Sequence, residues 1–293
     1  MTDNIFVFDR KILRAKRTRA ASHLKEHGFL FDWTSKQIIE RLEVIKKKFP
    51  LVLQIGARSG LNNHQDFNGK FGIETLFTLD NTQSLSPSII ADEELSPFKN
   101  DVFDLVFSPL NLHTTNDLPG TLVQIRHSLK EDGLFIGALL GGETLYELRY
   151  AMNQAEIDIY GGQSPRVAPF ADLPQMGALM QRAGFNLPVI DSEKITVTYD
   201  NTFKLMQDLR LMGESNIMLQ RRKNFTPRQF FQKVEEIYKD KYAENDGRIT
   251  STFEIIFMLG WKPHDSQQKP LKPGSAKNRL SDALATTEED LPC

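Results

Sequence analysis

The 293-residue sequence carries 36 basic and 38 acidic side chains, a formal charge of −2, and 40% hydrophobic residues. That length and apolar share suffice for the core of one large domain, and the balanced charge excludes a global field that gathers nucleic acid or an anionic membrane. A single cysteine, Cys293, excludes an internal disulfide framework and a thiolate metal cluster, and apolar runs such as 134–140 are too short to span a bilayer.

Along the chain, MTDNIFVFDR has no apolar signal core. Residues 10–19 then carry Arg10, Lys11, Arg14, Lys16, Arg17 and Arg19 without an acid. A basic helix of this kind offers peripheral contact with a membrane surface or an acidic partner, and a solvated helix face is the simpler expectation. Thr34 to Gln37 reads as a capping box, followed by Ile38, Ile39, Leu42 and Ile45 on one helical face, which predicts a helix covering the sheet edge. The short apolar runs 51–55, 74–80, 104–109 and 134–140 read as strands buried on both faces. Between the last two, residues 116–130 keep helical spacing. Strands separated by helices imply right-handed crossovers and a parallel sheet. After residue 141 the rhythm changes. Helices are predicted at about 143–156, 172–183, 202–212 and 227–242, around late strands near 194–199 and 252–261. The expected organisation is N-terminal helices over 1–48, an α/β domain over 49–262 with helical insertions at about 143–184 and 202–242, and a mostly disordered tail over 263–293.

Gly56 and Gly60 bound a turn after the first strand, where backbone can approach a ligand closely and the next helix offers free amides. A plain strand-to-helix turn explains the same glycines. Asp80 closes the second strand, about 20 residues beyond the turn, where an acid can accept hydrogen bonds from ribose hydroxyls. Asp92 follows Ile89-Ile90 and can meet an exocyclic amine. Ligands of open parallel sheets lie beyond the carboxyl ends of the strands, so Gly56, Asp80, Asp92 and Ser108 are expected to converge. His113, just past the strand ending in SPL, either faces the reacting group or is a structural imidazole. His23 and His27 are expected to be a solvated pair, because no acid or cysteine stands at metal spacing. No two-His-one-carboxylate set supports bound iron. On a helix after residue 141, Glu143, Tyr146, Glu147 and Arg149 would place polar groups beside the crevice; MGESN (212–216) is a second such string, lining a pocket or capping a helix.

The segments IFVFDR (5–10), FPLVLQIGARSG (49–60), ADEELSPF (91–98), FDLVFSPLNLH (103–113), NDLPGTLVQI (116–125), GGETLYELR (141–149), RAGF (182–185), LMGESN (211–216) and GWKPHDSQQKP (260–270) together resemble the respiratory complex I assembly factor 5 family. The match runs in order from about residue 5 to 276. The resemblance implies a Rossmann-like class I methyltransferase fold related to the malonyl-carrier-protein methyltransferases of biotin synthesis. The sheet would be mostly parallel, with a late antiparallel pair and helical cap insertions. It also implies a crevice of S-adenosylmethionine type, with Gly56, Gly60, Asp80 and Asp92 at the family's cofactor positions; Gln54, Ala57 and Ser108 complete the expected cofactor-binding set. In mitochondrial members it implies hydroxylation of an arginine in a complex I subunit, on the matrix side of the inner membrane. The matching segment begins near residue 5, from which a bacterial cytoplasmic protein is expected. Family loops usually carry Asp where Gln54 stands and Gly where Arg58 stands. The substitutions remove an acid and add a cation opposed to a sulfonium.

The leading expectation is a nucleoside-binding methyltransferase-fold protein that acts on a complex I subunit. For methyl transfer, His113 or Tyr146 would remove a proton. For arginine modification, Glu143, Glu147 and Glu214 would hold the guanidinium. One alternative is methylation of a malonyl thioester on a carrier protein, with Arg149 meeting the free carboxylate. The other is a non-catalytic assembly chaperone with a degenerate cofactor loop, contacting its partner through residues 10–19.

Overall fold

The computed structural model describes residues 6–58, 61, 67, 69–269 and 274–275. Among them β1 (Leu51–Ile55), β2 (Thr75–Asp80), β3 (Ile89–Ile90), β4 (Phe103–Pro109), β5 (Leu129–Leu140), β6 (Asn186–Tyr199) and β7 (Ile249–Trp261) form one sheet in the order β3-β2-β1-β4-β5-β7-β6. Strands β1 to β5 pair in parallel, and β7 lies antiparallel between β5 and β6. The sheet is therefore mostly parallel with a late antiparallel element. The order reverses between β1 and β4, which opens a crevice at their carboxyl ends.

Both faces of the central strands are buried, which is why they read as continuous apolar runs. Val52, Leu105 and Ile136 pack into one core cluster, and their neighbours Leu53, Val106 and Phe135 into the other. Helices α3 (Phe29–Glu43), α5 (Tyr146–Tyr160) and α8 (Arg228–Tyr242) close the first cluster, and α4 (Leu118–Ser128) and α6 (Leu173–Arg182) close the second. Helices α1 (Arg10–Ala20), the short α2 (Leu24–His27) and α7 (Thr202–Met212) come together, with α1 and α2 both against α7.

The structure corrects several boundaries. Thr34 is not a helix cap: α3 begins at Phe29, and the Thr34 hydroxyl donates to the Leu30 carbonyl at 2.8 Å. A threonine four residues after a carbonyl can make that bond from a helix interior, so the capping pattern was ambiguous. Helix α3 lies over β4 and β5 at the sheet centre, and Arg41 near its end reaches Asp191 and Glu193 of edge strand β6. Strand β5 starts at Leu129, with a register irregularity against β4 and Asp132 at φ +58°. Strand β6 starts at Asn186; it is an edge strand, half exposed along its length and tolerant of Pro188, so its first half lacks an apolar run.

The described residues up to Pro263 form one compact unit, and those beyond it form another. In the latter His264 Nδ1 lies 2.7 Å from Ser266 Oγ; most of the expected tail falls outside the described residues. Among those described, no helix is long and apolar enough to cross a membrane.

Candidate active site

The loop after β1 holds its shape through its own side chains. Gly56 sits at φ +93°, and a Cβ added there would stand 2.8 Å from the Asn111 Cβ. Gln54 Nε2 donates to the Gly56 carbonyl at 2.7 Å, and the Ala57 amide donates to Asp80 Oδ2 at 3.1 Å. Ser108 Oγ donates to the Ile55 carbonyl at 3.1 Å, tying β4 to the end of β1. Gly60 lies outside the described residues. Because Gly56 combines a left-handed backbone with that close approach, Gly56→Ala is expected to destabilise the fold by roughly 2–4 kcal/mol. Urea titration with a change below half a unit of that scale would contradict the tight cradle.

Two arginines of α1 turn inward. Arg10 pairs with Asp92 at 2.7 Å and Glu93 at 2.9 Å, and lies 3.6 Å from Glu94. Arg17 is fully buried, with Nη1 3.8 Å from Asp80 and 4.0 Å from Glu93, and Nη2 donates to Thr114 Oγ1 at 3.2 Å. Its Nε and Nη1 make no hydrogen bond. Burial pushes the guanidinium pKa down and Arg58 adds to that, against the pull of Asp80, Glu93 and Glu214. Residues 10–19 are therefore neither a wholly solvated face nor a basic surface alone: Arg10 and Arg17 cover the acids at the ends of β2 and β3.

Arg58, the residue that departs from the usual glycine, is itself buried. Its guanidinium donates to the Leu110 carbonyl, pairs with Glu214 and lies 4.4 Å from the centroid of the Phe31 ring. The other oxygen of Glu214 lies 3.0 Å from His113 Nε2. Burial alone would raise the Glu214 pKa, yet Arg58 first and His113 next hold it well below the usual carboxylate range. Glu214 is thus an ionised acceptor, so Nε2 of His113 carries a proton. In a neutral imidazole, Nδ1 is then an acceptor, and that atom is buried without a partner.

His113 and Glu214 line a largely apolar cavity of about 340 Å³, whose walls include Leu145, Leu148, Met152, Phe170, Met206 and Phe253 and to which Lys16, Arg166, Arg221 and Arg222 also contribute. Gly56, Asp80 and Asp92 are not among its lining residues. Among the described residues, three features of the crevice in this conformation oppose adenosylmethionine. Arg17 leaves the Asp80 carboxylate with no exposed surface, Asn111 packs over Gly56, and the guanidinium groups of Arg17 and Arg58 oppose a sulfonium.

The remaining expected site residues scatter. Glu143 precedes α5 and pairs on the surface with Lys194 at 2.8 Å. Glu147 is buried but accepts from Thr252, and Tyr146 makes an edge contact with Tyr242. Arg149 donates to the carbonyls of Gly142 and Thr144, bracing the turn before α5. Of that group, only Glu214 joins His113 at the cavity. His27 pairs with Asp208 at 2.7 Å, which corrects the expected solvated pair. Sequence reasoning missed Arg10, Arg17, Glu93 and Asn111. Only the spacing of Arg10, Leu13, Arg17 and Ala20, one helical face, pointed to an inward arginine.

Comparison with known proteins places this geometry. A methyltransferase domain model matches residues 77–137, from β2 into β5. A solved structure from Bacillus halodurans, described as that of a putative methyltransferase, superposes with a TM-score of 0.51 at 16% identity, covering 78% of this chain and 98% of its own, which shows the fold. A malonyl-[acyl-carrier protein] O-methyltransferase of Gallionella capsiferriformans is 29% identical over 279 residues, 89% of this chain and 93% of the relative. The mitochondrial arginine-hydroxylase NDUFAF5 of Danio rerio is 39% identical over 289 residues, covering 94% of this chain and 89% of the relative. On that similarity, spanning crevice, cavity and insertions alike, the chain belongs to the arginine-hydroxylase NDUFAF5 family of methyltransferase-fold proteins.

Proposed function

We propose that this chain modifies an arginine side chain of a respiratory complex I subunit during assembly of that enzyme. The observation that carries the reading is the pairing of Glu214 with His113 at the polar end of the apolar cavity. An arginine has an aliphatic stem and a planar cationic fork. The stem fits the Leu, Met and Phe walls. Each Glu214 oxygen keeps a second lone pair after serving Arg58 or His113, so guanidinium N–H groups find acceptors at one spot. Glu143 and Glu147, engaged elsewhere, take no part. Arg149 is spent on backbone carbonyls and is not placed to meet a malonyl carboxylate in the cavity.

A nucleoside ligand of adenosylmethionine type would reach Asp80 only after Arg17 withdraws. The working compartment is then the mitochondrial matrix, or the cytoplasm in a bacterium, with at most peripheral contact with the inner membrane.

The test is mass spectrometry of complex I subunits from cells with and without the gene. The expected result is an arginine that carries an added oxygen atom only when the gene is present, and that is unmodified in a Glu214→Gln strain. A gene-dependent added methyl group instead would assign methyl transfer. Unchanged arginines with normal complex I assembly in the deletion strain would overturn the reading.

A further inference from the structure

Beside the apolar cavity lies an open cleft of about 740 Å³ between α1 and α7, to which Lys16, Arg19, His23 and Arg210 contribute. Among the described residues its lining contains no carboxylate. Among the described residues Lys16, Arg19 and Arg210 form no ion pair: Lys16 Nζ donates to the Asn216 carbonyl at 2.5 Å, Arg19 Nε donates to the Ala15 carbonyl one turn back, and Arg210 extends from an exposed position of α7. On a chain with a formal charge of −2, three cations meeting without an acid are a local concentration of charge.

The cleft and the cavity are adjacent, with Lys16, Met206 and Ser215 lining both. Lys16 also records how crowded the positive charge is. Burial lowers its ammonium pKa to about 8, Arg221, Arg19 and Arg210 add to that, and only Glu214 opposes them. A carboxylate in the cleft would supply the missing counter-charge. The gain would be larger than at an open surface, because Lys16 is already half removed from water.

We propose that this cleft binds an acidic segment of the protein substrate that flanks the arginine, positioning the arginine over the neighbouring cavity. The inference rests on the cavity being where the arginine enters. Charge complementarity sets the occupant's chemistry. The shared wall sets its place, a few residues from the modified side chain.

The test uses the full chain and short fluorescent peptides, read by anisotropy. One peptide has an arginine flanked by aspartates, one has asparagines in place of the aspartates, and one has citrulline in place of the arginine beside aspartates. The aspartate peptide is expected to bind at least about tenfold tighter than the asparagine peptide, an advantage that falls as salt rises. The Arg19→Gln/Arg210→Gln variant should lose that advantage; both residues are exposed, so its circular dichroism should match the parent. Arg19→Glu alone should reverse the preference. Equal affinity for aspartate and asparagine peptides overturns the cleft, as does displacement by inorganic phosphate as effective as by the acidic peptide. Equal affinity for arginine and citrulline peptides would instead sink the reading of the cavity.

Discussion

Replacing Arg17 with alanine is expected to raise the affinity of the chain for S-adenosylhomocysteine by at least about tenfold, or about 1.4 kcal/mol. This ligand is the right probe because its neutral thioether removes the sulfonium from the comparison. In the parent, Asp80 has no exposed surface because the Arg17 guanidinium stands 3.8 Å from it, so a ribose would have to displace a buried cation first. That cation is loosely held: it makes one hydrogen bond, to Thr114, and long ion pairs to Asp80 and Glu93, while Nε and Nη1 make no hydrogen bond. The acids it leaves behind keep other partners. Asp80 accepts from the amides of Ala57 and Thr82, and Glu93 keeps Arg10 and the Asn111 amide. Leu13 and Ala20, both buried, hold α1 in place without Arg17. The variant should therefore fold with a cost of roughly 1–3 kcal/mol, the range for stranding part of a buried polar network, and uncover the crevice. Calorimetry that finds affinity unchanged or weakened would show that α1 does not block the ribose position. In the same variant adenosylmethionine should bind more weakly than S-adenosylhomocysteine, because Arg58 still faces the sulfonium.

Glu214→Leu should destabilise the chain by about 3–5 kcal/mol, since it strands the buried Arg58 guanidinium. The double variant Arg58→Met/Glu214→Leu should recover much of that loss, because removing both charges costs less than leaving one. Urea titration of the four proteins in the cycle gives the coupling. A single-variant loss below about 1 kcal/mol would mean that the pair holds nothing. The same carboxylate gives the pH dependence a sign. Its pKa is lowered on folding, so its stabilising contribution is complete above the unfolded value of about 4.3 and is lost as pH falls through the lower folded value. Glu214→Gln should flatten that acid-side loss.

Much of the fold follows from local pattern. Strands flanked by the two core clusters read as Val, Ile, Leu and Phe runs, and the helices at 173–182, 202–212 and 228–242 follow the spacing of their apolar residues. The misread start of α3 shows the limit of local rules: the same Thr34 hydroxyl suits a cap or a helix interior. Edge strand β6 shows another, since a half-exposed strand carries only half the apolar signal.

The site is a different matter. By itself the sequence determined the alternating strands and helices, the acid at the end of β2, the glycine turn and the family. All are read from periodicity or contiguous motifs, which a chain carries whether folded or not. Only the tertiary structure decided that Arg17 covers Asp80, that Arg58 meets Glu214 across 156 positions and that His113 meets it across 101. A charge in a sequence states what it needs but not which distant partner supplies it. That choice is made where α1, the loop after β1 and the end of α7 are brought together, and desolvation there makes each unpaired charge too costly to leave alone.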